Sequence, residues 1–296
     1  MKQLLMHKLK PWNRDVSSMD TQKKNRKFYH FAYDYLLNKT PPEVTEDLLK
    51  KYLVVPKSEQ FFFSINDIFY RMLCSAQNRQ MSVNVIGRAI GNVQNLGKVL
   101  DDFNVEYVLN HFSDYKILLE EIENTFDLKG KIRIKEKSLW PQYCKTIISV
   151  AKFLSQFKNS KDFLLWIRTF YEDNKSMAVL PLLISTEIYG FGFALVCDFL
   201  KELGFTNYGK PDVHIKEILI AYDFLSENES DYNVLKTMIN IAQDANVTCY
   251  ALDKVLWLIG SGKFYNNPEI GNNGFIGRMK EDFIMHKIEF EGDMNP

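Results

Sequence analysis

Apolar side chains recur along this chain at intervals of three and four residues, the period of an α-helix with one buried face. The clearest run is Ile65, Ile68, Phe69, Met72, Leu73 and Ala76, preceded by Ser64-Ile-Asn-Asp67, which fits a capping box. The same periodicity predicts helices over 27–37 and 44–53, separated by Thr40-Pro41-Pro42, and over 82–91, 97–103, 104–111 and 114–124. Pro141 suits the first turn of a further helix that buries Tyr143, Ile147, Val150, Ala151 and Leu154. Others are predicted over 161–173, 232–245 and 249–259, the last capped by Thr248 and closed by Gly260-Ser261-Gly262. No segment alternates as a strand would and no fixed-period repeat occurs, so the predicted fold class is all-α. Residues 1–27 are polar and read as loosely ordered, with Trp12 as an anchor; the Asn- and Gly-rich stretch 266–277 reads as a mobile loop.

The stretch from Ser185 to Leu219 organises the rest. An apolar helix ends there in a tight turn, Gly190-Phe191-Gly192, and a second helix spaces Phe193, Val196, Cys197, Leu200 and Leu203 for one buried face. Gly204 suits its C-terminal cap. After Pro211, Asp212 can cap a third helix with Ile215, Ile218, Leu219 and Tyr222 inward. Two glycines one residue apart let a partner approach the backbone, and the N–H groups opening the next helix point at it, which makes an anion site suited to a phosphate.

Helix, G-x-G hairpin, helix, loop and Asp212-Val213-His214 resemble the helix-hairpin-helix DNA glycosylase superfamily, which includes endonuclease III and 8-oxoguanine glycosylase. Met72-Leu-Cys-Ser-Ala-Gln77 followed by Ser82-Val-Asn84 resembles a second stretch of the same family. The resemblance covers about Ile65 to Leu225. It implies a two-lobed helical fold with an active-site cleft between the lobes: 60–204 as a helical barrel including the hairpin, and 1–59 plus 205–296 as the second lobe. It also implies that Asp212 is the catalytic carboxylate, and that Gly190, Gly192, Phe193, Gln77, Asn78 and His214 contact DNA. Gln77 would fill the gap left by an extruded nucleotide, its amide able to donate and accept hydrogen bonds. His214 has two readings, packing beside Asp212 or contact with substrate.

Bifunctional members carry a Schiff-base lysine as G-x-G-x-K. Here that slot is Ala194, at the family's interval before Asp212, so the resemblance implies a monofunctional enzyme that uses water. Lys145, Lys152, Lys175, Lys201 and Lys210 are alternative amines for a lyase that carries its lysine elsewhere. The glutamate of adenine glycosylases has no counterpart, since Met72 stands five residues before Gln77. Phe61, Phe62, Phe63, Tyr70, Trp140 and Trp257 could stack a flipped base, or belong to the core.

Composition changes this picture little. With 37 Lys+Arg against 37 Asp+Glu, net charge gives no sign of nucleic acid. Its distribution does: Lys2, Lys8, Lys10, Arg14, Lys23, Lys24, Arg26 and Lys27 cluster at the N-terminus, either as a solvated tail or as phosphate contacts. Cys74, Cys144, Cys197 and Cys249 lie far apart in apolar contexts and read as buried thiols. Metal, iron–sulfur cluster and other cofactors are therefore not expected. No run is long enough to span a membrane. The expected partner is double-stranded DNA with a damaged or modified base, bound by a monomer in the cytoplasm or on the nucleoid. A non-catalytic DNA-binding protein and a protein-interacting helical scaffold are the other classes that fit.

Overall fold

The computed structural model describes residues 19–54, 64–79, 85–173, 176–265 and 267–292. Trp12, the basic residues before position 19, Phe61 to Phe63, Ser82 to Asn84 and Lys175 lie outside them. The described residues form fifteen α-helices: α1 Met19–Asn38, α2 Glu46–Tyr52, α3 Ile65–Ala76, α4 Val85–Ala89, α5 Val105–His111, α6 Tyr115–Thr125, α7 Leu139–Leu154, α8 Ser160–Tyr171, α9 Val179–Glu187, α10 Phe193–Glu202, α11 Val213–Ala221, α12 Asp231–Asp244, α13 Cys249–Ser261, α14 Lys280–Met285 and α15 Lys287–Gly292. Among them there is no strand, only the isolated bridges Lys263–Phe275 and Asn272–Phe275. None of these helices is long and apolar enough to cross a membrane. The chain divides into two compact units, Gln60–Phe199 and Met1–Glu59 with Leu200–Pro296.

In the first unit, α3 opens with the predicted capping box, Ser64 and Asp67 exchanging bonds to each other's backbone N–H. Its Ile68, Phe69, Met72 and Leu73 are fully buried. It is tied to α7 by the Tyr143 hydroxyl, which donates to Leu73 O at 3.0 Å. The helix predicted over 97–103 does not form. A 3-10 turn, Val93–Lys98, ends there, and Asp101, Asp102 and Phe103 take left-handed φ values of 47°, 51° and 62°. Short acidic side chains tolerate that region better than most residues, and Asn104 then caps α5 by accepting the Tyr107 N–H.

The second unit joins the two ends of the described chain. Phe28 of α1 meets Tyr222, Phe224, Phe283 and Phe290, with ring centroids 5.1, 4.6, 6.4 and 6.1 Å away. Helix α1 starts eight residues before its predicted beginning, so Met19 to Arg26 are not loosely ordered. Its polar side chains there have partners on other elements: Asn25 donates to Asp244 at 2.7 Å and Lys24 to Asp223 O at 3.1 Å. The stretch predicted as a mobile loop is, over 267–277, a compact turn. Phe264 N–H donates to Gly274 O at 2.6 Å, and both Phe264 and Ile270 are buried. Trp257 is half-buried and stacks on Tyr265 at 5.4 Å.

Candidate functional site

The hairpin turn is built on α7. After α9 the chain makes a four-residue turn in which Phe191 N–H donates to Ile188 O at 3.2 Å. Gly190, third in that turn, has φ +75°, a conformation that demands glycine. It also lacks room for a side chain, because a Cβ there would fall 2.5 Å from Arg79 Nη1 and 2.8 Å from Thr146 Oγ1. Gln142, Thr146 and Ser149, at helical spacing on α7, receive the turn. Ser149 Oγ accepts the Tyr189 N–H at 2.8 Å, and Gln142 Oε1 accepts both the Tyr189 hydroxyl and an Arg79 N–H, the latter at 3.3 Å. Gly192 is different: a Cβ on it would meet nothing within 4 Å. Its carbonyl accepts the Leu195 and Val196 N–H groups, and having no side chain it leaves the opening amides of α10 uncapped. Phe193, predicted to touch DNA, is buried in the core at 9% exposure.

Helix α10 ends as predicted. Gly204 has φ +92°, its N–H donates to Lys201 O, and Phe205 N–H donates to Leu200 O, the two bonds of a Schellman motif. Asp212 then caps α11, its Oδ1 accepting the Ile215 N–H at 3.1 Å. Its Oδ2 has no hydrogen-bond partner among the described residues. Half-buried, the Asp212 carboxyl is pushed above the usual carboxylate range, first by desolvation and then by the negative charge of Asp253. The Ile215 N–H and the charges of Lys210 and His214 oppose that rise.

Asp253 and Lys201 form the frame behind Asp212. They are 2% and 4% exposed, with Lys201 Nζ 2.7 Å from Asp253 Oδ2, while Asp253 Oδ1 accepts the Lys210 N–H at 3.2 Å. Burial of such a pair needs both charges and further hydrogen bonds to be tolerable. The loop leading into Asp212 is thereby pinned to the middle of α13. His214 packs on the same helix, since a Cβ on Gly260 would fall 2.5 Å from His214 Cβ; its buried Nδ1 has no hydrogen bond among the described residues.

The remaining expected residues lie in the Gln60–Phe199 unit. Gln77 is buried, and its Oε1 accepts the Gly87 N–H at 3.1 Å, so its acceptor is committed inside the protein. Asn78 follows it, half-buried, donating its N–H to Ser75 O. Among the alternative amines, Lys145 pairs with Glu136, Lys201 with Asp253, and Lys152 is exposed. Tyr70 is half-buried and Trp140 buried. All four cysteines are free. Arg79, Gln142, Tyr189 and Asp253 entered no sequence motif as site residues, and Lys201 entered only as an alternative amine. Asp253 carried a signal, a carboxylate in the middle of an apolar helical run, whereas the meeting of Arg79 and Tyr189 is purely tertiary.

Among solved structures, the chain is similar to the Methanocaldococcus jannaschii 8-oxoguanine glycosylase/lyase, crystallised in complex with a 15mer DNA containing 8-oxoguanine. The identity is 15%, covering 78% of this chain and 95% of that one, with a TM-score of 0.49. No family model and no curated protein matches the sequence.

Proposed function

We propose that this protein is a DNA N-glycosylase that hydrolyses the bond between deoxyribose and a flipped, damaged or modified base, and that it is monofunctional. The observation that carries the reading is the division of labour within Asp212. One carboxyl oxygen holds the helix cap and the other has no hydrogen-bond partner among the described residues, on a group whose proton affinity is raised by burial and by Asp253. Breaking the C1′–N bond builds positive charge on the sugar. A carboxylate beside C1′ stabilises that charge, and one of raised pKa accepts a proton from the attacking water more readily. The water oxygen then bonds to C1′ and the base leaves with the glycosidic electron pair. Taking the base out of the stack costs a few kcal/mol, less where it is damaged or mispaired. The glycine turn, with its uncapped amides, suits a backbone phosphate. Ala194 in the lysine slot, and Lys201 engaged with Asp253, favour water over an amine as nucleophile.

The test is base release from a panel of duplexes carrying oxidised, alkylated, deaminated and mispaired bases. Wild-type protein is expected to release at least one of them, leaving an intact abasic strand, and Asp212→Asn to release none while remaining folded. Full activity in that variant, or a borohydride-trapped covalent adduct with wild type, would overturn the assignment or its monofunctional part respectively. A DNA-binding protein without chemistry is the second reading, favoured by the cap that Asp212 forms with Ile215; binding without release across the panel would select it.

A further inference from the structure

Arg79 carries a positive charge that no carboxylate offsets among the described residues. One of its N–H groups goes to the neutral amide of Gln142 at 3.3 Å, and its Cζ lies 5.8 Å from the centre of the Tyr189 ring. The guanidinium is half-buried, and it rests against the turn so closely that Gly190 has no room for a Cβ. Partial desolvation of a cation without a counter-ion is unfavourable, and an incoming anion relieves it. The other N–H groups keep the planar fork that fits two phosphate oxygens.

The surface continues beyond Tyr189, itself 43% exposed. A pocket of about 370 Å³ is bounded by Asp114, Tyr115, Lys145, Ser149, Lys152 and Tyr189, among others. Lys145 sits 5.7 Å from the Tyr189 ring centre and 4.6 Å from that of Tyr115, and is neutralised by Glu136. Lys152 is exposed and has no ion pair among the described residues. Two cations without an ion pair among the described residues, with aromatic faces between them, suit a strand of nucleic acid, whose phosphates need charge and whose bases or sugars need a flat apolar surface.

We propose that Arg79 and Lys152 bind phosphodiester groups of one nucleic-acid strand that crosses Tyr189, making the α7 surface the side-chain half of the glycine-turn phosphate site. This rests on the glycosylase reading and extends it to residues outside the hairpin. Binding of a fluorescent duplex with a stable abasic-site analogue, measured over a series of salt concentrations, tests it. Arg79→Ala and Lys152→Ala should each weaken binding about tenfold. Each should lower the slope of log K against log salt by about 0.9, and Arg79→Lys should restore the slope. Should Arg79→Ala prove poorly folded, protection in the wild-type protein serves instead. Saturating duplex should slow phenylglyoxal modification of Arg79 and leave the exposed Arg168 on α8 unaffected. Unchanged affinity and slope in both alanine variants, or no protection of Arg79, overturns the proposal while leaving base release by Asp212 standing. A wild-type protein that does not bind duplex overturns both. The expected slopes without any base release would support the interface and sink the enzymatic reading alone.

Discussion

At Asp212, asparagine would keep the oxygen that receives the Ile215 N–H and remove the charge that faces Asp253. Asn and Asp cap helices about equally well, whereas alanine at such a position costs roughly 1 kcal/mol. Asp212→Asn is therefore expected to unfold at or above the wild-type temperature and Asp212→Ala below it, in thermal melts at neutral pH. The sign of the pH dependence follows from the raised pKa. Between the ordinary carboxylate range and that raised value, the folded protein holds a proton that the unfolded chain has lost. The group's contribution to stability is thus full at low pH and declines as pH rises through that window. Urea unfolding of the two proteins from about pH 3 upward should show Asp212→Asn gaining on wild type through that window, and a constant difference beyond it. The cap itself was legible from Pro211-Asp212 ahead of an apolar helical run. The charge environment was not, because Asp253 is forty-one positions further on and meets Asp212 only through the packing of α11 on α13.

On the scale of the elements, the two glycines of the hairpin turn separate backbone need from surface access. Gly190→Ala must place a side chain at φ +75° and into the Arg79 guanidinium and Thr146. It should lose roughly 1–3 kcal/mol or more in chemical denaturation. Gly192→Ala meets nothing, so its stability should stay within about 1 kcal/mol of wild type. A comparable loss in the two variants would contradict this account of the turn. Most helices could be read from periodicity and caps, as with Ser64, Thr248 and Gly204, because those signals act within one or two turns. Two kinds of element escaped. The left-handed run at Asp101 to Phe103 is set by the packing that surrounds a run of otherwise helix-compatible residues. The first turns of α1 are polar, and are stabilised from α12 and from the loop after α11 rather than by their own pattern.

For the molecule as a whole, the aromatic cluster of Phe28, Tyr222, Phe283 and Phe290 binds α1 to α14 and α15. Phe283 is fully buried, and the Tyr222 hydroxyl donates to its carbonyl at 2.6 Å. Phe283→Ala should therefore cost about 3–5 kcal/mol. That loss should appear as earlier urea unfolding and as faster hydrogen exchange in α1 and α11. Exchange accelerated only in α14 would show the cluster to be local. No sequence rule pointed to α14 and α15, since their short amphipathic pattern gains meaning only from the rings that it meets.

The unit that carries Asp212 is assembled from both ends of the chain, with Gln60–Phe199 inserted between them. Synthesis runs from the N-terminus, at about 5–20 residues per second. The inserted unit is complete on the ribosome while α1 still awaits α12 and α13. Asp212 emerges before Asp253, the residue that anchors its loop and raises its affinity for a proton. A nascent or prematurely terminated polypeptide would thus present the glycine turn before the carboxyl of Asp212 has reached the surroundings that raise its proton affinity.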